Sequence, residues 1–181
     1  GKGREGDITL LSALGQEMGF SVETIPPFTV SGEIVSSTLI RQALAQGDMP
    51  RVTKLMGRHF YLVGEVITAD KRGRTLGFPT ANLNTKPEQA LPSNGVYATI
   101  AQVDGRLFAS ATNIGTRPTF GQGGKTVETH LLGYEGDLYS KKLKVEFIRK
   151  LRDEQKFTSP KELRAQIGKD VQEGETILFR W

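Results

Sequence analysis

The chain has 181 residues, a formal net charge of +4 and no cysteine. Its length suits one domain of ordinary size with an appendage, or two small domains. The lack of cysteine excludes disulfides, thiolate metal sites and cysteine nucleophiles, and it fits a cytoplasmic location. Because no apolar run approaches the ~20 residues that span a membrane, neither a membrane anchor nor a signal peptide is predicted.

The first 56 residues are predicted to be mainly helical. Three stretches combine a capping residue, helical spacing of apolar side chains and a terminal glycine: 7–19, 36–47 and 48–57. Residues 20–25 alternate like a β-strand and end at two prolines. One strand with helices, lacking the rest of a sheet, is interpreted as the end of an α/β domain. Since the chain begins with Gly1 rather than Met, we expect a longer parent protein.

Beyond these helices the apolar side chains alternate, a pattern typical of strands. Six stretches have this pattern: 60–67, 96–101, 107–111, 126–132, 143–148 and 177–179. The dipeptide Asp104-Gly105 predicts a two-residue hairpin turn, because such a turn needs positive φ at both positions. Residues 159–162 form a capping box that predicts a helix burying Leu163, Ile167 and Val171. Together these elements predict a mainly β fold, a small antiparallel barrel with a late helix.

Positive charge is concentrated in the second part of the chain. Residues 57–181 contain 19 Lys or Arg against 14 Asp or Glu, whereas residues 1–56 contain 5 against 6. A basic surface can attract nucleic acid, a membrane surface or a phosphorylated small molecule. The two tight basic groups, at 71–74 and 141–144, are interpreted as solvated turns or strand ends in preference to binding sites.

The stretch Gly-Arg-Thr-Leu-Gly-Phe-Pro-Thr-Ala-Asn-Leu, residues 73–83, is the most unusual in the chain. Its glycines let the backbone approach a ligand closely. In an extended backbone Thr80 and Asn82 point to the same face. Their hydroxyl and amide oxygens are the kind of ligand that suits Mg²⁺. The alternative is a turn whose polar side chains cap backbone groups.

A second loop interrupted by glycine and proline covers 113–121, at the end of a predicted strand. In the next predicted strand, alternation puts Glu128 and His130 on the face opposite the apolar residues. An exposed carboxylate on a strand is usually a solubility residue. Glu128 therefore acquires a functional interpretation only if the two loops converge on it. The histidines, His59 and His130, lack ligand-spaced partners and predict no zinc site.

Six segments in chain order carry a family likeness. They are 77–82 (GFPTAN), 95–98 (GVYA), 113–121 (NIGTRPTFG), 127–132 (VETHLL), 137–139 (DLY) and 151–157 (LRDEQKF). The sequence thereby resembles riboflavin kinases, specifically the kinase module at the C-terminus of bacterial bifunctional FAD synthetases. The likeness covers about 58–181. Upstream, 1–7 and 35–41 (VSSTLIR) resemble the last part of the adenylyltransferase module of the same enzymes.

The resemblance implies a six-stranded antiparallel Greek-key barrel with a C-terminal helix, preceded by an α-rich fragment of an α/β nucleotidyltransferase domain. It implies transfer of the γ-phosphate of ATP to the 5′-hydroxyl of riboflavin, giving FMN and ADP. Glu128 is implied as the base that accepts the hydroxyl proton, and Asn113 and Arg152 as flavin-side residues. The residues implied for ATP are Gly73, Arg74, Gly77, Phe78, Pro79, Thr80 and Asn82, with Thr80 and Asn82 also binding Mg²⁺.

By the same resemblance, residues 1–56 are a C-terminal remnant of an FMN adenylyltransferase module and residues 57–181 are the riboflavin kinase domain. Forming FAD relies, in this family, on an upstream His-x-x-His-type signature, which the two histidines here do not make. We therefore expect FMN but not FAD from this chain, with the second module covalently joined in the parent protein. The expected partners are riboflavin or FMN and ATP or ADP, with neither nucleic acid nor a membrane.

Three positions depart from the family pattern and concern loop geometry. Ala69, Gly133 and Ser140 stand where relatives often have Gly, Asp and Gly. Two other classes of function are considered: a basic barrel that binds RNA or single-stranded DNA, and a flavin carrier without catalysis. Aromatic residues placed regularly beside cationic ones would favour the first. The presence of Glu128, Thr80 and Asn82 argues against the second.

Overall fold

The computed structural model describes residues 7–67, 78–86, 88–116 and 124–178. The chain forms two compact units, Gly1–Val35 and Ser36–Trp181. The domain boundary expected between residues 56 and 57 stays a prediction about the family's modules. The larger compact unit differs from the predicted 57–181 domain because it also includes the two helices that precede the barrel.

The smaller unit contains helix α1 (Ile8–Met18) and a short antiparallel pair, β1 (Thr29–Val30) and β2 (Glu33–Ile34). The carboxylate of Asp7 accepts a hydrogen bond from the Leu10 amide at 2.8 Å, which confirms the predicted start of the helix. The predicted strand at 20–25 is wrong, since residues 20–28 form neither helix nor strand. Alternating apolar residues make a strand only where a neighbouring strand completes the hydrogen-bond ladder.

The larger unit begins with two short helices, α2 (Ser37–Gln46) and α3 (Met49–Met56). Side chains of Ser36 and Asp48 cap their first turns, and each helix ends at a glycine with positive φ. Both helices are therefore confirmed. One side of α3 is buried through Met49, Val52 and Leu55.

Six strands close into an antiparallel barrel, and each strand is hydrogen-bonded to its two neighbours in the order β3-β4-β7-β6-β5-β8. Their bounds are β3 (Phe60–Ile67), β4 (Ala81–Leu83), β5 (Gly95–Val103), β6 (Arg106–Thr116), β7 (Lys125–Leu131) and β8 (Lys142–Arg152). Strands β5, β6 and β7 are consecutive neighbours and β8 returns beside β5, which is the predicted Greek key. The hairpin turn is also confirmed, with φ of 51° at Asp104 and 76° at Gly105.

The barrel interior contains a network of hydroxyl groups among its apolar side chains. The Thr99 hydroxyl lies 2.8 Å from those of Ser110 and Thr112. Thr112 continues the chain to Thr129 at 3.0 Å. All four residues are buried, and together they join β5, β6 and β7. Because a buried hydroxyl is stable only with a hydrogen-bond partner, this network favours one register of the three strands.

Helix α4 (Pro160–Leu178) packs on the outside of β5 and β6. Its predicted contact residues, Leu163, Ile167 and Val171, are only half-buried, whereas Asp170 and Gly174 are fully buried. The strand predicted at 177–179 is wrong for 177–178, which continue the helix. Ile177 and Leu178 follow Gly174 at the i+3 and i+4 positions and so extend its barrel-facing side. Residue 179 lies outside the described residues.

Two of the three family departures fall at left-handed backbone positions. Gly133 has φ of 67° and Ser140 has φ of 59°. Glycine suits the first position, and a non-glycine residue at the second is strained. Ala69 lies outside the described residues. Within the part of the chain that the structure describes, no helix is long and apolar enough to cross a bilayer.

Candidate active site

Three of the predicted site residues lie side by side on neighbouring strands. Glu128 on β7 is directly opposite Asn82 on β4 and also directly opposite Asn113 on β6. Residues paired in this way point to the same face, with Cβ atoms about 5 Å apart. We call Asn82, Glu128 and Asn113 the polar row. One residue from each of the two predicted loops, Asn82 and Asn113, therefore lies beside Glu128.

The polar row lies on the outer face of the barrel wall. The neighbours of Glu128 along β7, Val127 and Thr129, are 1% and 0% exposed and face the interior. Glu128 and Asn113 are half-buried. Asn82 is only 8% exposed, which leaves little of its surface to bulk water. The alternation predicted for β7 is confirmed, and it directs the carboxylate outward.

A hydrogen bond from His130 on β7 holds the segment that precedes β4. Nδ1 of His130 lies 2.8 Å from the carbonyl oxygen of Pro79, and the His130 and Phe78 rings form a T-shaped contact with 5.4 Å between their centroids. Since a carbonyl oxygen only accepts, Nδ1 carries the proton in this bond. His130 therefore positions the residues that lead to Thr80 and Asn82.

Arg152 contacts the C-terminal helix. Its Nε and Nη2 atoms donate to the carboxylate of Asp170 at 2.9 and 2.7 Å, and Nη1 donates to the Asp153 carbonyl at 3.1 Å. The side chain of Gln166 donates to the same carboxylate at 2.9 Å. Arg152 and Asn113 both pair with Val96 on β5, so the ion pair lies beside the polar row. The observed contacts show Arg152 joining α4 to β8, and its flavin role stays a prediction.

Comparison with known proteins decides the family. The family model for riboflavin kinase matches residues 56–178, about two-thirds of the chain. The chain belongs to the riboflavin kinase family. Enzymes of this family use ATP as co-substrate.

Curated relatives extend over most of this chain. The bifunctional riboflavin kinase/FMN adenylyltransferase of Escherichia coli K12 is 41% identical over 171 residues, covering 94% of this chain and 54% of the relative. The Haemophilus influenzae enzyme is 38% identical over 179 residues, with 98% and 58% covered. The Bacillus subtilis enzyme is 38% identical over 152 residues, with 82% and 48% covered. The chain thus spans about half the length of the relatives it matches.

A solved structure shares the fold. A crystal structure described as a macrolide-efflux protein from Streptococcus pneumoniae superposes with a TM-score of 0.81 at 28% identity. The match covers 90% of this chain and 53% of the other. It supports the arrangement of the elements described above.

Several predicted residues of the kinase domain cannot be placed. Gly73, Arg74 and Gly77, expected to bind ATP, lie outside the described residues, as do the basic group at 71–74 and the 117–121 part of the second loop. The other basic group is largely neutralised. Lys141 pairs with Asp104, and Lys144 pairs with Glu146 at 2.5 Å. This second group is therefore a solvated strand end.

Sequence reasoning missed Glu154, which lies close to Asn113 of the polar row. Its carboxylate accepts from the Asn94 amide at 3.0 Å, and Asn94 also donates to Thr116 at 3.0 Å. A Cβ added to Gly115 would come within 2.7 Å of Glu154 and 3.3 Å of the Asn113 amide. A side chain at position 115 would therefore displace the Glu154 carboxylate where the end of β6 meets the segment after β8. The glutamate within the 151–157 motif was the available signal.

Two lysines add positive charge near the beginning of β7. Lys125 donates to the Pro92 carbonyl at 2.7 Å, and burial together with the nearby charge of Lys150 lowers its pKa. Lys150 donates to the Ser93 hydroxyl at 2.9 Å and pairs with Asp153, whose pKa it holds below the usual range. The positive charges of Lys125 and Lys150 favour binding of an anionic ligand near the beginning of β7.

The ion pair between Arg152 and Asp170 yields a stability prediction. The Asp170→Asn variant leaves Arg152, whose side chain is 16% exposed, without its counter-charge. We expect a loss of about 3 kcal/mol in the free energy of unfolding, as for other broken buried pairs. Urea denaturation followed by circular dichroism measures it. The ion pair between Lys150 and the exposed Asp153 supplies the control. Asp153→Asn should leave the midpoint of urea unfolding nearly unchanged. Equal effects of the two variants would contradict the structural role given to Asp170.

Proposed function

We propose that this chain transfers the γ-phosphate of ATP to the 5′-hydroxyl of riboflavin, forming FMN and ADP. The observation that supports this proposal best is the polar row, in which a carboxylate stands between two amide side chains on adjacent strands. Phosphoryl transfer depends mainly on positioning and on neutralising charge, and strands joined by a continuous hydrogen-bond ladder hold such groups rigidly. Membership of the riboflavin kinase family supplies the choice of substrate.

In the proposed reaction Glu128 is the general base. The riboflavin 5′-oxygen forms a bond to the γ-phosphorus while the bond to the β-phosphate oxygen breaks and ADP leaves. The proton of the hydroxyl passes to the Glu128 carboxylate. Such a base contributes on the order of 10²–10⁴-fold to the rate. The half-buried, outward-facing position of Glu128 on β7 gives its carboxylate access to a substrate hydroxyl.

Nucleotide and metal are proposed to bind at the β4 end of the polar row. Thr80 and Asn82 offer a hydroxyl and an amide oxygen, and both are the hard, neutral donors that suit Mg²⁺ carried by ATP phosphates. Among the described residues no group of three or more His, Asp or Glu could hold a metal alone, so this donor set fits a nucleotide-borne cation. When bound, Mg²⁺ would neutralise phosphate charge. The bond between His130 and Pro79 would keep Thr80 in place.

Riboflavin is proposed to approach from the β6 end of the polar row. Asn113 lies across Glu128 from the nucleotide residues, so its amide can orient the hydroxyl that Glu128 deprotonates. Arg152 would act here by holding α4 against β8. On the ATP side, Phe78 and Pro79 hold the segment that leads into β4. Binding of ATP by Gly73, Arg74 and Gly77 remains an expectation from the family resemblance.

The proposal predicts the product. Incubation with riboflavin and Mg-ATP, followed by chromatography, should give FMN and ADP in equal amounts. We expect no FAD, because neither histidine belongs to a His-x-x-His signature. Oligonucleotide binding that weakens with salt, in the absence of FMN, would instead indicate a nucleic-acid-binding barrel. Riboflavin binding without turnover would indicate a carrier.

A second prediction concerns the base. Glu128→Ala should lower kcat by a hundredfold or more while the KM for ATP changes little, because the carboxylate acts on the transferred proton. Steady-state FMN formation measures both constants. Glu146→Ala is the matched control, since that glutamate lies on β8, the strand opposite β7 in the barrel. A kcat within threefold of the unsubstituted chain would reject Glu128 as the base.

A third prediction separates metal binding from proton transfer. Asn82→Ala should raise the KM for Mg-ATP and the Mg²⁺ concentration needed for half-maximal rate, while riboflavin KM stays the same. Asn84→Ala, an exposed asparagine just beyond β4, should change neither value. Thermal unfolding of both variants checks that the barrel is intact. An unaltered Mg²⁺ requirement in Asn82→Ala would remove Asn82 from the metal site.

A further inference from the structure

A concave site lies away from the polar row, within the same compact unit. It is a half-open pocket of about 430 Å³, a size that accommodates small-molecule ligands. Helix α3, strand β8 and the end of α4 form it, together with His59, the residue before β3. The lining residues are Pro50, Thr53, His59, Ile148, Arg149, Thr176 and Ile177. We call it the α3–α4 pocket.

The α3–α4 pocket and the proposed kinase site are on opposite walls of the barrel. Going round the closed barrel in either direction, β8 is three strands away from β7. Arg149 and Ile148 lie on β8, whereas Glu128 lies on β7 and its partners on β4 and β6. A ligand in this pocket would therefore not occupy the position of ATP or riboflavin.

A local irregularity of β8 builds the pocket floor. Arg149 pairs with Ala98 and Phe147 pairs with Thr99, so Ile148 is an extra residue in the ladder. Such a β-bulge redirects side chains and is frequent next to functional sites. Phe147 remains in the barrel core at 0% exposure, and both Ile148 and Arg149 face the pocket. The bulge thus places the Arg149 guanidinium next to the apolar side chain of Ile148 in the pocket wall.

The chemistry of the lining favours an anion. Arg149 is exposed, and its guanidinium makes no ion pair or hydrogen bond with the described residues, and the lining residues that the structure describes include no Asp or Glu. His59 and Thr53 are joined by a bond of 3.1 Å between Nδ1 and Oγ1, and the Thr176 hydroxyl donates to the Gln172 carbonyl. Arg149 therefore supplies a charged donor to the space, and Pro50, Ile148 and Ile177 line it with aliphatic carbon.

We propose that the α3–α4 pocket binds a small anionic molecule, with a phosphate or carboxylate group on Arg149 and an apolar body against the isoleucines. The planar guanidinium matches either anion with two parallel hydrogen bonds. Ile148 and Ile177, together with Pro50, supply the apolar surface. This site is additional to the kinase site and does not depend on the kinase proposal.

Phenyl phosphate is a suitable probe, because it combines the anion with a ring. In ¹⁵N-labelled protein it should shift the amide signals of Thr53, His59 and Thr176 in a saturable way. Those of Asn82, Glu128 and Asn113 should stay unchanged. The neutral analogue benzyl alcohol should bind at least tenfold more weakly. Inorganic phosphate and benzoate then distinguish a phosphate preference from a carboxylate preference.

Two substitutions test the role of the cation. Arg149→Gln should weaken phenyl phosphate binding about tenfold or more, the effect expected for losing a charge-assisted pair of hydrogen bonds. Arg164→Gln, at an exposed position on α4 outside the pocket, should have no effect. Thr176→Glu places a carboxylate in the wall and should also abolish binding. The proposal is overturned if the probe does not bind, if it shifts the polar row instead, or if Arg149→Gln binds as well as the unsubstituted chain.

Discussion

The hydroxyl network inside the barrel underlies the rest of the site. Thr112 and Thr129 face each other across β6 and β7 from the inside, and the next pair along the ladder, Asn113 and Glu128, faces outward. A slip of one residue between these strands would turn Glu128 into the core and expose the buried hydroxyls. Each hydroxyl left unsatisfied would cost about 1–3 kcal/mol. The interior bonds therefore determine where the outer carboxylate stands.

Much of this arrangement follows from local sequence signals. The hairpin at Asp104-Gly105, the glycine-terminated helices and the alternation around Glu128 are each encoded within a few residues. Local rules therefore predicted them correctly. Strand β4 could not be predicted from local signals in this way. It has only three residues, and its position beside β7 depends on pairing with residues far away in the sequence. Asn82 was identified as a candidate from its spacing to Thr80 and again from the family resemblance, but the register that joins it to Glu128 became visible only in the fold.

The errors in prediction share a physical origin. Residues 20–25 have the alternation of a strand, but alternation does not create the neighbour that a strand requires. Residues 177–178 have strand-forming side chains, yet the helix before them continues because its packed side extends that far. Asp170 could not be identified from sequence either. A buried carboxylate in a helix is compatible with the fold only because Arg152 reaches it from another element.

Closure of the barrel also has a kinetic consequence. The first barrel strand pairs with the last, so that Phe60 stands opposite Phe147. Contacts between such distant parts of a chain slow folding, because a long loop must close before the contact stabilises anything. During synthesis, β3 cannot find this partner until β8 has left the ribosome. Until then β3 and β5 each expose an unpaired edge, the kind of edge through which incomplete barrels aggregate.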